Sequence, residues 1–184
     1  MKNSKTVFIT QTALFTALIV VCSWLSIPAT VSFTLQTFAV CFVSAMGGFK
    51  SGTLSVLTYI LLGIVGVPVF SNFKGGVSAI AGPTGGYIVG FIFTAIIVGL
   101  VADKFDKKFL VSVLSMTLGV AVCYAFGTAW FYILYNNVNA QPMSIGAVLG
   151  VCVVPFIPFD AVKILLAAWL TNVVGKRLKK DVNS

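Results

Sequence analysis

The sequence predicts an all-α integral membrane protein: a single domain over residues 1–184, with six transmembrane helices and both termini in the cytoplasm. Three observations carry this. Of 184 residues, 59% are apolar and only 9% charged, whereas soluble domains run at about 45–50% apolar and about 25% charged. The mean hydropathy is +1.06, and a crossing takes about 20 apolar residues, so the length allows about six crossings and almost no domain outside the bilayer. The 12 Lys and Arg, against 4 Asp, fall in short clusters between apolar runs, as cytoplasmic loops do under the positive-inside rule.

The elements follow in order. Helix one is expected over 7–27, ending at Pro28; the run is long enough to span and further spans follow, so it reads as a retained helix and not a secretory signal. A turn over 28–32 leads to helix two, 33–46. Gly47-Gly48-Phe49-Lys50 breaks it, and helix three follows over 51–67. The longest irregular stretch, 68–85, holds Pro68, Asn72, Lys74, Gly75-Gly76 and Gly82-Pro83. Helix four is expected over 86–102, helix five over 109–135 and helix six over 144–175. The last covers 32 residues, about 48 Å at 1.5 Å per residue, against a hydrocarbon core of about 30 Å. Pro155 and Pro158 are its expected breakpoints, since each removes a backbone donor and clashes with the preceding turn.

Orientation follows from counting. Lys2, Lys5, Lys50, Lys104, Lys107, Lys108, Lys176, Arg177, Lys179 and Lys180 belong to one set of connections, and Lys74 alone to the other. That asymmetry puts both termini inside and the 68–85 loop outside. It also makes lipid, not nucleic acid, the partner of the net charge of +8.

Composition excludes several kinds of chemistry. There is no Glu and no His, and Asp occurs only at 103, 106, 160 and 181, which removes histidine acid–base work, the usual metal clusters and most paired-carboxylate hydrolases. No phosphate loop, Gly-x-Ser-x-Gly elbow or zinc signature occurs. Cys22, Cys41, Cys123 and Cys152 lie inside apolar runs with no Cys-x-x-Cys spacing, as small buried hydrophobes do.

Three features remain. Asp160 and Lys163 are the charged residues deep in an expected span. At i, i+3 they share one helix face, and each charge costs about 2.5–3.5 kcal/mol at the bilayer centre. A structural ion pair locking the kinked helix is the plainer reading, but intramembrane charges mark ligand or ion pathways. The outer loop and its flanks, with Phe70, Asn72, Phe73 and Gly82-Pro83-Thr84-Gly85-Gly86-Tyr87, read as a lid and a helix start: Thr84 can cap, and the glycines allow close backbone approach. A tight connection has the same punctuation. Finally, Ala13 and Ala17 form a small-xxx-small stripe for close helix packing, as do Ala95/Gly99, Ala121/Ala125 and Gly146/Gly150.

Several blocks together resemble the BioY family, the biotin-binding substrate-capture (S) components of energy-coupling factor (ECF) transporters. They are Ala13-x-x-x-Ala17, Phe33-Thr34-Leu35-Gln36-Thr37-Phe38, Tyr59-Ile60-Leu61-Leu62-Gly63 with Gly66-Val67-Pro68-Val69-Phe70, Gly82-Pro83-Thr84-Gly85-Gly86-Tyr87, and Pro155-Phe156-Ile157-Pro158-Phe159-Asp160-x-x-Lys163. The likeness runs almost end to end, and the last two blocks are the specific ones. It implies a six-helix plasma-membrane protein of a prokaryote that captures vitamin in a pocket open to the outside. It also implies docking through the Ala13/Ala17 stripe on a transmembrane coupling protein that carries two ATPases, with ATP used by those partners and no cofactor on this chain.

The residue chemistry suits such a ligand. Biotin offers two ureido N–H donors, one carbonyl acceptor, an apolar sulfur ring and a carboxylate tail. Asp160 and Asn72 can accept from the N–H groups, and Tyr87 or a backbone amide of the Gly85-Gly86 turn can donate to the carbonyl. Lys163 is a partner for either the carboxylate or Asp160. Phe70, Phe73, Trp24 and Gln36 complete the wall. The expected function is biotin capture without catalysis. A self-sufficient secondary vitamin transporter coupled through Asp160 is the alternative. An intramembrane enzyme using Asp160 and Lys163 lacks a nucleophile, metal set or second carboxylate nearby.

Overall fold

The computed structural model describes residues 4–27, 31–105, 107–138 and 142–182. Lys2, Pro28, Asp106 and residues 139–141 lie outside the described residues, as do the side chains of Lys179 and Lys180. Among the described residues the chain is mostly α-helical, with five helices long and apolar enough to cross a membrane.

Helix α1 (Ser4–Trp24) stops three residues short of Ile27. Ser26–Ile27 (β1) instead pairs antiparallel with Phe33–Thr34 (β2), Ser26 opposite Thr34 and Ile27 opposite Phe33. The residue before a proline is biased away from helix toward extended backbone, which explains the switch at Ile27. The β-pairing in turn delays α2 (Gln36–Ile64) from 33 to Gln36.

The expected helices two and three form this one hydrogen-bonded run, with a non-helical residue, Gly48 (φ 67°, ψ −169°), inside it. The chain reverses there. A Cβ on Gly52 would lie 2.6 Å from the Ser44 Cα, whereas eight residues of straight helix span about 12 Å. Gly48 φ belongs to a region that side chains avoid, so glycine is required at the tip.

The outer stretch is more ordered than expected, with a 3-10 turn at Ser71–Phe73 and a short helix α3 (Val77–Ala81). Helix α4 (Gly85–Lys104) begins one residue early; Thr84 occupies its N-cap position, but its hydroxyl makes no capping bond because its backbone is already helical (φ −92°, ψ −4°). Helix α5 (Phe109–Val138) follows. The expected sixth helix divides where the prolines stand. Helix α6 (Ile145–Cys152) is capped by Ser144, whose hydroxyl accepts from the Ala147 N–H at 3.3 Å. A turn over 153–156 holds Pro155, and α7 (Ile157–Val182) carries Pro158 in its first turn, where the missing donor costs nothing. The helix runs on past Gly175, with Lys176 and Arg177 favourably placed toward its C-terminus.

Packing relies on small residues and on hydroxyls bonded across helices, as expected where apolar surface gives no drive to associate. Helices α4 and α5 run antiparallel with glycine at successive contacts: a Cβ on Gly86 would strike Trp130, on Gly90 Cys123, on Gly119 Thr94, and on Gly127 the Tyr87 ring. Thr94 donates to the Gly119 carbonyl at 2.8 Å. Between α1 and α2, Thr16 donates to the Ser55 carbonyl and Ser55 to the Thr12 carbonyl, both at 3.2 Å. Large apolar side chains such as Leu110, Leu114 and Trp169 face outward, as lipid contact requires.

The Gly48 tip sits at the end of the bundle where α4 finishes and α5 starts. The Asp103 carboxylate accepts from the Phe49 N–H at 2.9 Å, Lys107 donates to the Met46 carbonyl at 2.9 Å, and Asn172 donates to the Lys107 carbonyl at 3.0 Å. The β1–β2 ladder, the 3-10 turn and the α6–α7 joint gather at the other end.

Candidate functional site

A cavity open at its mouth occupies the ladder end of the bundle. Each wall comes from a different element. The start of α2 supplies Gln36 and Thr37, and its second half Tyr59; the outer loop supplies Phe70 and Ser71. Helix α4 contributes Tyr87 and Phe91, and α5 contributes Val120, Cys123 and Tyr124. Cys152, Phe156, Asp160 and Lys163 close the side formed by the α6–α7 joint. Breaking the helix at Pro155 is what turns Asp160 inward at the first turn of α7.

Asp160 is 4% exposed. Lys163 donates to its Oδ1 at 2.8 Å, and the Tyr124 hydroxyl donates to its Oδ2. Buried charge is tolerated only when paired and hydrogen-bonded, and here both carboxylate oxygens are engaged. Across the cavity, Gln36 Nε2 donates to the Tyr59 hydroxyl at 2.6 Å. The Tyr87 hydroxyl donates to the Cys152 carbonyl at 3.2 Å. Phe70 is buried, meets Tyr59 edge-on at 5.4 Å, and fills the space a Cβ at Gly63 would need.

Of the residues singled out from the sequence, Asp160, Lys163, Gln36, Tyr87 and Phe70 share this cavity. Asn72, Phe73, Trp24, Gly85 and Gly86 lie outside its wall. Asn72 holds the rim: it accepts from the Ser26 hydroxyl at 3.2 Å and donates to the Ser32 hydroxyl at 3.0 Å. Its φ of 58° and that of Phe73, 56°, are left-handed, a conformation Asn tolerates far better than Phe. Trp24 donates to the Pro68 carbonyl at 2.8 Å and packs on the exposed Phe73 ring at 5.3 Å. Gly85 and Gly86 serve packing, since Cβ atoms there would strike the Ile80 carbonyl and Trp130. Ala13 and Ala17 are exposed on one face of α1.

Tyr124 escaped the sequence reading, and Tyr59 entered it only within a resembling block, with no role assigned. Each is a phenol inside an apolar helical run, and a buried tyrosine hydroxyl needs a partner; that requirement was the available signal. Among the described residues no group of three metal-ligating side chains forms.

Comparison with known proteins agrees along the whole chain. The model of the BioY family matches residues 1–180. A biotin transporter BioY of Thermotoga maritima is 43% identical over 171 residues, covering 92% of this chain and 94% of that protein. A biotin transporter BioY of Rhodobacter capsulatus is 30% identical over 177 residues, covering 91% and 93%. The crystal structure of the S-component for biotin from an ECF-type ABC transporter superposes with a TM-score of 0.83 at 28% identity, covering 98% of this chain and 94% of that one. Matched over nearly its full length in sequence and in fold, the chain belongs to the BioY family.

Proposed function

We propose that this protein takes up biotin as the substrate-capturing S component of an ECF-type ABC transporter, binding without catalysis. The observation that carries the reading is the buried Asp160–Lys163 pair in the wall of a central cavity. As a unit the pair is neutral, which suits a neutral urea. Asp160 accepts from the ureido N–H groups, and the two remaining Lys163 protons are placed for the ureido carbonyl. Among the described wall residues Lys163 is the one cation, and it is committed to Asp160. The ligand carboxylate therefore belongs at the hydroxyl-lined end, near Ser32, Ser71 and Thr84. The phenyl rings of Phe70 and Phe91 cover the sulfur ring. Asn72, Phe73 and Trp24 form the rim through which the ligand passes. A site built on a urea's hydrogen bonds rejects analogues without them, because its own buried groups would be stranded.

The two arms of α2 count as separate crossings, and α6 with α7 as one, giving six spans. The basic residues of the Gly48 tip and of the α4–α5 connection lie at the end away from the cavity, which supports cytoplasmic termini and an outward pocket. The exposed Ala13/Ala17 face is the docking surface for the transmembrane coupling protein, whose two ATPases consume the ATP.

The test is equilibrium binding of labelled biotin to purified protein in lipid nanodiscs. Asp160→Asn and Lys163→Ala each weaken binding at least tenfold while the thermal unfolding midpoint stays near that of the parent. Unchanged affinity in either variant would overturn the site.

A further inference from the structure

We propose that Tyr124 is a positioning residue for ligand capture: its hydroxyl, through Asp160, sets where the carboxylate stands relative to the rest of the cavity. The proposal rests on the reading of Asp160 as the ligand anchor.

Among the described residues, two side chains donate to the Asp160 carboxylate. They do different jobs. Lys163 lies three residues on in the same helix and bonds Oδ1, so it travels with Asp160 and cannot fix α7 against the other walls. Tyr124 stands near the middle of α5 and bonds Oδ2. It is thus the side-chain hydrogen bond that ties the anchor to another helix. The terminal torsion of an aspartate is broad and roughly two-fold, so a donor on one oxygen alone leaves the carboxylate plane loosely set. Donors on both oxygens define that plane. An ionised carboxylate has about four acceptor positions; with one on each oxygen engaged, the other two are presented together to the cavity.

The plain alternative is a buried tyrosine that has merely found an acceptor. The surroundings make the distinction measurable, because Tyr124 lines the cavity and also two outer grooves, one between α5 and α6 and one between α5 and α7. Tyr124→Phe keeps that wall and removes only the hydroxyl.

The experiment is a double-mutant cycle on biotin affinity in nanodiscs with wild type, Tyr124→Phe, Asp160→Asn and the double variant. Hydrogen bonds to charged groups have measurable net value, and Tyr124→Phe is expected to weaken binding about tenfold with an unchanged unfolding midpoint. In the Asp160→Asn background the same change costs less than twofold. Infrared difference spectra give a second reading: a carboxylate stretch shifts between wild type and Tyr124→Phe, and that band is missing when Asp160 is already Asn. Equal losses in both backgrounds, no loss in the wild-type background, or no shifted carboxylate band would overturn the proposal while leaving the anchor intact. Wild-type affinity in Asp160→Asn would overturn the anchor and the proposal together.

Discussion

Phe70 and Gly63 show how single residues shape the cavity wall. The Phe70 ring lies where a Cβ on Gly63 would come within 2.0 Å of its Cζ, and it meets Tyr59, one turn earlier in α2, edge-on. Gly63→Ala therefore displaces a ring that lines the cavity. Overpacking costs about 1–3 kcal/mol, so we expect a lower unfolding midpoint together with weaker biotin binding, measured on one nanodisc sample. Residues of this kind are only partly legible in a sequence. Asp160 and Lys163 stood out because a charge in an apolar run has a known cost. Tyr124 and Tyr59 did not, since a tyrosine among valines and leucines has the pattern of ordinary core, and what distinguishes it is a hydrogen-bond partner far along the chain. Asn72 was legible as polar and on the loop, but its hydrogen bonds go to the hydroxyls of Ser26 and Ser32, which only the folded β1–β2 connection brings near.

At the scale of elements, the breaks were easier to read than the ends. Pro155 and Pro158 mark the α6–α7 joint, and the Gly47-Gly48 pair marks the reversal in α2, because each has a backbone cause. The short ladder at Ser26–Ile27 was hidden, since two paired residues leave no periodicity. The small-residue stripes were ambiguous for a different reason: a Cβ on Gly99 would lie 2.7 Å from the Phe49 Cα, whereas Gly146 and Gly150 meet nothing within 4 Å, and spacing alone does not separate the two cases. The tip of α2 gives a sharp test. A Cβ at Gly48 would meet both an unfavourable φ and the Asp103 Oδ1 at 2.0 Å. Such backbone strain costs on the order of 1–3 kcal/mol. Gly48→Ala should lower stability by at least that much in thermal unfolding. Asp103→Ala in the same chain should restore part of the loss, because it removes the collision but not the strained dihedral.

For the whole molecule, the cavity and the proposed docking face are separate. Ala13 and Ala17 are exposed on α1, and neither belongs to the cavity wall. Ala13→Trp and Ala17→Trp should leave biotin affinity of the solitary protein within twofold of wild type. Uptake driven by the coupling protein and ATPases should be lost when the same variants are reconstituted with them. Weakened binding by the solitary variants would mean that the stripe supports the pocket and is not a docking surface. The bundle itself was legible from composition and lysine placement, because membrane crossing constrains both. The proposed docking face of α1 was legible only as a stripe, since an exposed alanine looks the same whether lipid or protein lies against it.

The close pairing of Asp160 with Lys163 has an electrical consequence. Moving one elementary charge through a membrane potential involves about 2.3 kcal/mol per 100 mV, but opposite charges 2.8 Å apart on one helix turn cancel in that sum. A displacement of this pair carries almost no gating charge. The potential can act on the loaded protein through the solute's own carboxylate, so the work of carrying it inward has to come from the energised partners.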